Sequence, residues 1–367
     1  MENKMLLGID CSSYFDELDD NAKYYYQGKE IDPYKYFIEK NNVSCFRLRL
    51  WNNPYDENGK PYGAGTNDYA RTLKLAKIAL SYGYKLVLDF HYSDFWADPG
   101  KQTLPKEWKD LSFEELKEKV YEYTLKTLQD FKKEGIDFMA IQIGNEITNG
   151  MLWPHGKLIE DGNNPRSNYE NLTSLLKQGI KAKNKIYPHA LTIIHLERSG
   201  NAKIYNEYFD NMVKYNVDFD IIGASYYAYW HGTFDEFFDN MRNLQKKYHK
   251  DIMVMEFAYA FTADDYLKSE NNQMITRQEG MYFPYPLTPE GQEECVTTFL
   301  ERCKKENIKA IFYWEPCWLP REHTYWATNV GQKYIHEEGK SNRNEWSNQC
   351  LFDYDGNALP ALDKFKI

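Results

Sequence analysis

The strongest constraint on this chain is the recurrence of eight short apolar runs, each separated from the next by enough residues for a helix. They are MLLGID (5–10), VSCFRLRLW (43–51), YKLVLDFH (84–91), DFMAIQIGNE (137–146), ALTIIHLE (190–197), FDIIGASYY (219–227), DIMVMEFA (251–258) and IKAIFYWEP (308–316). Most are continuously apolar rather than alternating, as a parallel strand covered on both faces must be. Helical signatures lie between them. YARTLKLAKIALSYG (69–83) sets Leu73, Ala76, Ile78 and Leu80 on roughly one face and stops at Gly83, and FEELKEKVYEYTLKTLQDFKKEG (113–135) again stops at a glycine. Eight βα units in 367 residues predict an α/β protein with one domain, 1–367, folded as a single (β/α)8 TIM barrel. The main competitor is an open doubly wound sheet. That fold usually shows a Gly-rich phosphate turn after its first strand, and this chain reads GIDCSS there. The long segments 91–112, 145–168, 258–290 and 315–346 are then βα loops at the C-terminal face, where a barrel builds its site.

Composition narrows the ligand. The formal net charge of −10 argues against nucleic acid and anionic membranes and favours a neutral ligand. No uncharged apolar window is long enough to span a bilayer. The start, MENKMLLGID, has neither the long apolar region nor the small-residue cleavage site of a signal peptide. The six cysteines form no C-x-x-C pair, and Cys45 lies inside an apolar strand, so reduced thiols are expected. A cytoplasmic monomer is the expectation, with a secreted protein whose leader has been removed as the alternative. The 31 tyrosines and nine tryptophans supply rigid aromatic faces, for packing or for a ligand. Without H-E-x-x-H, C-x-x-C or G-x-S-x-G, neither a zinc site nor a serine elbow is indicated, and DYDGN (353–357) reads as a turn rather than a calcium loop. No metal or cofactor is expected.

The predicted strands end in groups that an apolar core does not want: Arg47 and Arg49, Asp89 and His91, Asn145 and Glu146, Tyr226 and Tyr227, Glu256, and Trp314 with Glu315. Buried charges are costly unless paired, so their convergence on one rim implies mutual pairing around a cleft. Glu146 and Glu256, on the fourth and seventh strands, would face each other across the mouth. Two facing carboxyls, one protonated and one ionised, are what glycoside hydrolysis requires. Arg47 could hold one of them as an anion, Asn145 could bind a sugar 2-OH, Tyr226 or Tyr227 could donate to the nucleophile, and Trp314 offers a stacking face. Taken singly, each has an ordinary alternative as a cap, an ion-pair partner or a packed ring.

The segments FRLRLWNNP (46–54), DFHYSDFWADPGKQTLPKEW (89–108), IQIGNEITNGMLWPHG (141–156), IIGASYYAYWHGT (221–233), MVMEFAY (253–259), FYWEP (312–316) and NQCLFDYDGNALPAL (348–362) together resemble the endo-β-1,4-galactanases of glycoside hydrolase family 53. The resemblance implies a retaining glycosidase with Glu146 as acid/base and Glu256 as nucleophile. Its substrate would be neutral β-1,4-galactan, type I arabinogalactan or derived galacto-oligosaccharides. It also implies that Arg47, Asn145, Tyr226 and Trp314 surround the −1 sugar and that Asp89 and His91 belong to a family motif. Trp96, Trp153 and Trp230 are candidate sugar platforms. The chain departs from the family pattern at AFTADDYLKSENNQ (260–273), which lacks the Asp-x-Asp-x-His-x-Asn spacing of calcium-binding members, so bound calcium is not expected. With no leader apparent, an intracellular enzyme trimming imported galacto-oligosaccharides is the expectation. Alternatives are a β-1,4-mannanase, glucanase or xylanase on the same scaffold, or a non-catalytic sugar-binding barrel.

Overall fold

The structure is a computed structural model that describes residues 5–160, 166–266, 268, 274–276 and 278–366. Residues 267 and 269–273 of the stretch in which no calcium spacing was expected lie outside that set. All eight apolar runs form strands: β1 Leu6–Asp10, β2 Val43–Leu50, β3 Lys85–Phe90, β4 Ala140–Ile143, β5 Leu191–Leu196, β6 Ile221–Tyr226, β7 Asp251–Phe257 and β8 Ala310–Trp314. Each pairs in parallel with its neighbours in the chain, and β1 pairs with both β2 and β8, closing the barrel. Helices α1 Pro33–Asn41, α2 Tyr69–Tyr82, α3 Phe113–Lys133, α4 Tyr169–Ile186, α5 Ala202–Lys214, α6 Phe234–Tyr248 and α7 Pro289–Lys305 follow strands β1 to β7, and the short α8 Pro360–Lys364 closes the ring after β8.

The helix boundaries follow local chemistry. Asp68 caps α2 by accepting from the Arg71 amide, and Gly83 ends it at φ 97°, a backbone state closed to most residues. Ser112 and Glu115 form a reciprocal capping box at the start of α3. The fully buried face of α2 is Thr72, Leu75, Ala76 and Ala79; of the predicted face Ala76 is buried, Leu73 and Ile78 are half-buried at its edges, and Leu80 is solvent-exposed. Apolar residues on both sides of the true stripe left its centre ambiguous by a residue or two.

The barrel interior holds Cys45, Val87, Ala140, Ile193, Ile221, Met253, Met255, Ala310 and Phe312, all buried. Outward-facing strand residues pack beneath the helices in a second, larger cluster. Gly8 leaves room for the Phe312 ring inside the barrel: a Cβ there would lie 2.3 Å from Phe312 Cδ1. In β7 the alternation breaks. Ala224 pairs with Val254 but Ser225 pairs with Glu256, so Met255 is one extra residue. This bulge turns both Met255 and Glu256 toward the barrel axis, where strict alternation would send Glu256 out to the helices. Among the described residues no helix is long and apolar enough to cross a membrane.

The Gly8–Phe312 fit is testable. Gly8→Ala should destabilise the protein by about 1–3 kcal/mol through overpacking, measured by urea unfolding. Phe312→Leu in that background should recover part of the loss. Strict additivity of the two changes would mean that the ring and the glycine are not in contact.

Candidate active site

At the C-terminal mouth of the barrel lies a cleft of about 560 Å³. Its floor is organised by Arg47, which β2 points inward beneath the cleft with no solvent exposure. Nη1 donates to Asp10 Oδ2 at 2.9 Å and to Glu256 Oε1 at 3.0 Å. Nη2 donates to Asp89 Oδ2 at 2.9 Å, to Asn145 Oδ1 at 2.8 Å and, at 3.3 Å, to Gln142 Oε1. One cation thus ties together residues from β1, β2, β3, β4 and β7. Burial pushes the Asp89 carboxyl up, but Arg47 and the neighbouring His91 overcome it and hold the group below the usual carboxylate range. His91 Nε2 lies 3.0 Å from Asp89 Oδ2, and its Nδ1 accepts from the indole of Trp51 and the amide of Ala97. That bonding pattern orients the ring where it lines the cleft.

Gly144, at φ 86°, reverses the chain just past β4, and Glu146 itself sits at φ 47°. A non-glycine residue in the left-handed region costs energy and persists only where its surroundings enforce it. Here the turn swings the Glu146 carboxyl back over the mouth. Asn145 is fixed from the other side, its side-chain Nδ2 donating to Ala97 O and its main-chain carbonyl accepting from Gln102 Nε2. One carboxylate oxygen of Glu146 and one of Glu256 come within 4.8 Å of each other.

The two acids have different partners. Glu256 receives Arg47 on Oε1 and the Tyr227 hydroxyl on Oε2 at 2.9 Å. Among the described residues, Glu146 Oε1 accepts only the Ser225 hydroxyl, at 2.6 Å. Burial drives both carboxyls upward. Arg47 and Tyr227 pull Glu256 back, whereas the charges of Glu256 and Glu197 push Glu146 further, so the first proton to bind goes to Glu146. Behind Ser225, its Oγ lies 2.8 Å from His195 Nε2. Because Ser225 donates to Glu146, His195 must donate to Ser225, which leaves Nδ1 to accept from Gln142 Nε2 at 3.1 Å. Burial, then the charge of Arg47, keep this imidazole neutral by lowering its pKa well below the ordinary value.

Glu146, His195 and Glu256 are also close enough to crowd a cation. Glu146 Oε1, His195 Nε2 and both oxygens of Glu256 are already engaged by Ser225, Tyr227 and Arg47, and a metal ion there would face the Arg47 guanidinium.

Of the residues expected at the site, the structure brings Arg47, Asp89, His91, Trp96, Asn145, Glu146, Trp230, Glu256 and Trp314 to the cleft or directly under it. Two lie elsewhere. Tyr226 points out of the barrel, stacks on Phe299 with ring centroids 5.0 Å apart and donates to Gly232 O; Tyr227, the next residue, reaches Glu256. Trp153 does not line the cleft: its indole donates to Asn149 O beneath Lys157. Sequence reasoning missed Asp10, Gln142, His195, Glu197, Ser225 and Trp346. His195 and Glu197 end β5 as Asp10 ends β1, so the strand-end rule extended to those strands would have found them. Trp346 sits in the long segment after β8 and has no such positional signal.

The walls are aromatic. Trp96, Trp314, Trp346 and Trp230 form a chain of rings whose successive centroids lie 6.3–6.5 Å apart. Such faces bind the C–H surface of a neutral, hydroxylated ring.

Comparison with known proteins agrees with this chemistry. The model of the glycosyl hydrolase family 53 matches residues 6–365. The chain is similar to an endo-β-1,4-galactanase of Bacillus subtilis, at 32 % identity over 100 % of this chain and 86 % of the relative. It is also similar to an arabinogalactan endo-β-1,4-galactanase of Cellvibrio japonicus, at 31 % identity over 98 % of this chain and 90 % of the relative. Among solved structures it resembles the Ignisphaera aggregans GH53 catalytic domain with a TM-score of 0.87, 36 % identity, and coverage of 100 % of this chain and 96 % of that one.

Arg47→Met tests the centre of the network. It strands Asp89 and Glu256 as buried carboxyls whose folded-state pKa values then lie above their unfolded values. The resulting loss is therefore largest at high pH and shrinks as pH falls and the stranded groups take up protons. Urea unfolding should show a deficit of about 3–5 kcal/mol near neutral pH, smaller at about pH 5. A deficit that grew on acidification would contradict this account.

Proposed function

The chain belongs to glycosyl hydrolase family 53, and from that premise we propose that it is a retaining endo-β-1,4-galactanase. It cleaves β-1,4-galactosidic bonds in galactan, type I arabinogalactan or galacto-oligosaccharides derived from them. The observation that carries the mechanism is the approach of the Glu146 and Glu256 carboxylates to within 4.8 Å. Retaining enzymes place their carboxyls about 5–5.5 Å apart, whereas inverting ones need about 6.5–9.5 Å to admit a water.

In the first step Glu256 attacks the anomeric carbon and Glu146 gives its proton to the departing glycosidic oxygen. In the second, Glu146 takes a proton from water as that water displaces Glu256 from the same carbon. Two inversions give net retention. Arg47 and Tyr227 keep Glu256 ionised and fix its two oxygens. Glu146, which the Ser225 hydroxyl meets at one oxygen, carries the proton. Asn145, pinned by Arg47, is placed to bind the hydroxyl next to the anomeric carbon, where hydrogen bonding strengthens as positive charge develops. The neutral polymer suits a chain of net charge −10, which has no attraction to an anionic one. The six cysteines are all free and buried, which supports a cytoplasmic enzyme acting on imported oligosaccharides.

The test is hydrolysis of β-1,4-galactan beside mannan, glucan and xylan, with the first-formed anomer read by proton NMR. Cleavage of galactan with the β anomer first is expected; a preference for mannan or xylan, or an α product, would refute the reading. Glu256→Gln should abolish turnover, and Glu146→Gln should cost about 10²–10⁴-fold on galactan, less on substrates whose leaving group needs no proton. The pH profile of kcat/KM offers an independent check. Tyr227→Phe removes a hydrogen bond that stabilises the Glu256 anion and should move the acidic limb to higher pH. Ser225→Ala does the same for Glu146 and should move the basic limb to higher pH. Each shift should be about one unit.

A further inference from the structure

Glu197 is a third carboxylate at the cleft, whose charge helps raise the Glu146 carboxyl but which has no contact with the reacting atoms in the mechanism above. It follows β5 directly, shares the inward parity of Ile193 and His195, lines the cleft and is only 3 % exposed. Its amide donates to Thr148 Oγ1 at 3.2 Å, which ties it to the turn carrying Glu146. Among the described residues its carboxylate oxygens have only loose partners: the Thr148 hydroxyl lies close enough to draw the carboxyl down, without the geometry of a full hydrogen bond. The Arg198 Nε, 3.0 Å from Oε1, approaches out of line. Apart from that ion pair to a half-exposed arginine, the buried carboxylate has acceptor capacity to spare, and hydroxyl donors entering the cleft can fill it.

Position around the barrel mouth says which sugar supplies them. Glu256, Asn145, His91, Trp96 and Trp314 occupy the arc formed by β7, β8, β3 and the end of β4, and they enclose the ring that Glu256 attacks. Glu146 protonates the bond at the edge of that ring. Beyond it, on the β5–β6 arc, the cleft is lined by Glu197, Arg198 and Trp230, the last 46 % exposed. We propose that Glu197 is a specificity-determining residue that binds the hydroxyls of the first leaving-group sugar, with Trp230 as the wall against which that sugar lies. This rests on the galactanase reading and extends it to the leaving-group side of the site. A carboxylate accepts two hydroxyl protons at once, and a leaving group without hydroxyls would leave Glu197 with the Arg198 ion pair alone.

The second catalytic step isolates this role. When a sugar replaces water, its hydroxyl oxygen bonds to the anomeric carbon, the ester bond to Glu256 breaks, and its proton passes to Glu146. Water and sugar use the same base, so the partition between transfer and hydrolysis reports acceptor binding and not the acidity of Glu146. The experiment uses a nitrophenyl β-1,4-galactobioside as donor and galactobiose as acceptor, with the full chain, Glu197→Gln and Glu197→Ala. Nitrophenol counts total turnover, and chromatography separates transfer from hydrolysis products. In Glu197→Ala the transfer-to-hydrolysis ratio should fall about tenfold or more, with Glu197→Gln intermediate and nitrophenol release without acceptor within about threefold of the parent. An unchanged ratio would overturn the proposal. So would a loss of nitrophenol release as large as the loss of transfer, because Glu197 would then act through Glu146 or through folding. Failure of the unaltered enzyme to cleave galactan would overturn the galactanase reading and this proposal with it. Cleavage of galactan with an unchanged ratio overturns this proposal alone.

Discussion

Much of the architecture of the site depends on one guanidinium. Arg47 is fully buried at the mouth of the barrel and contacts Asp10, Asp89, Asn145 and Glu256 at 2.8–3.0 Å. Its planar fork has enough donors to serve groups on several strands at once, which a lysine ammonium could not do. Removing a cation of this kind leaves several uncompensated anions in a low-dielectric region. That asymmetry is why such a residue specifies a geometry more than it adds net stability.

The same residue separates the two glutamates chemically. Both are buried, and burial alone would favour the protonated form of each. Arg47 and Tyr227 act on Glu256, while Glu146 has a serine hydroxyl in front and a neutral histidine behind. A neutral His195 matters here. A charged imidazole behind Ser225 would favour the anion of Glu146 and erode the difference on which acid/base chemistry relies. Arg47 contributes to that neutrality as well, since its charge opposes protonation of His195. Arg49, on the same inward face of β2, sits against Glu315 at 2.6 Å and over the Trp96 ring at 4.6 Å, so it steadies a cleft wall rather than the reacting pair.

Above this charged floor the cleft is aromatic, which divides the labour between chemistry and recognition. Rings can bind a neutral sugar without adding charge near the glutamates, and buried polar groups such as Asn145 and Glu197, in the proposed reading, supply direction. The loops that carry these walls come from several strands, the general solution of a barrel in which a rigid sheet holds the floor and longer βα segments shape the rim.

Much of this was legible in the residues alone. Eight apolar runs with helix-sized spacing can close only a few ways, so the barrel followed from pattern, and Arg47, Asn145, Glu146, Glu256 and Trp314 were visible as polar or aromatic interruptions at strand ends. The choice between Tyr226 and Tyr227 was not, because Ile221-Gly223-Ser225 and Ile222-Ala224-Tyr226 are both plausible inner faces of β6. Only the packed sheet sends Tyr226 to Phe299 and Tyr227 to Glu256. Trp153 and Trp346 show the same limit for loops, where no periodicity says which ring meets the cleft. The sequence by itself determined the barrel and the chemical kinds of group at its mouth, since both depend on local apolarity and on where it stops. Tertiary structure alone decided which of those groups face one another. The inward turn of Glu256 comes from one extra residue, Met255, in the pairing of β7 with β6, and strand register is settled by neighbours distant along the chain.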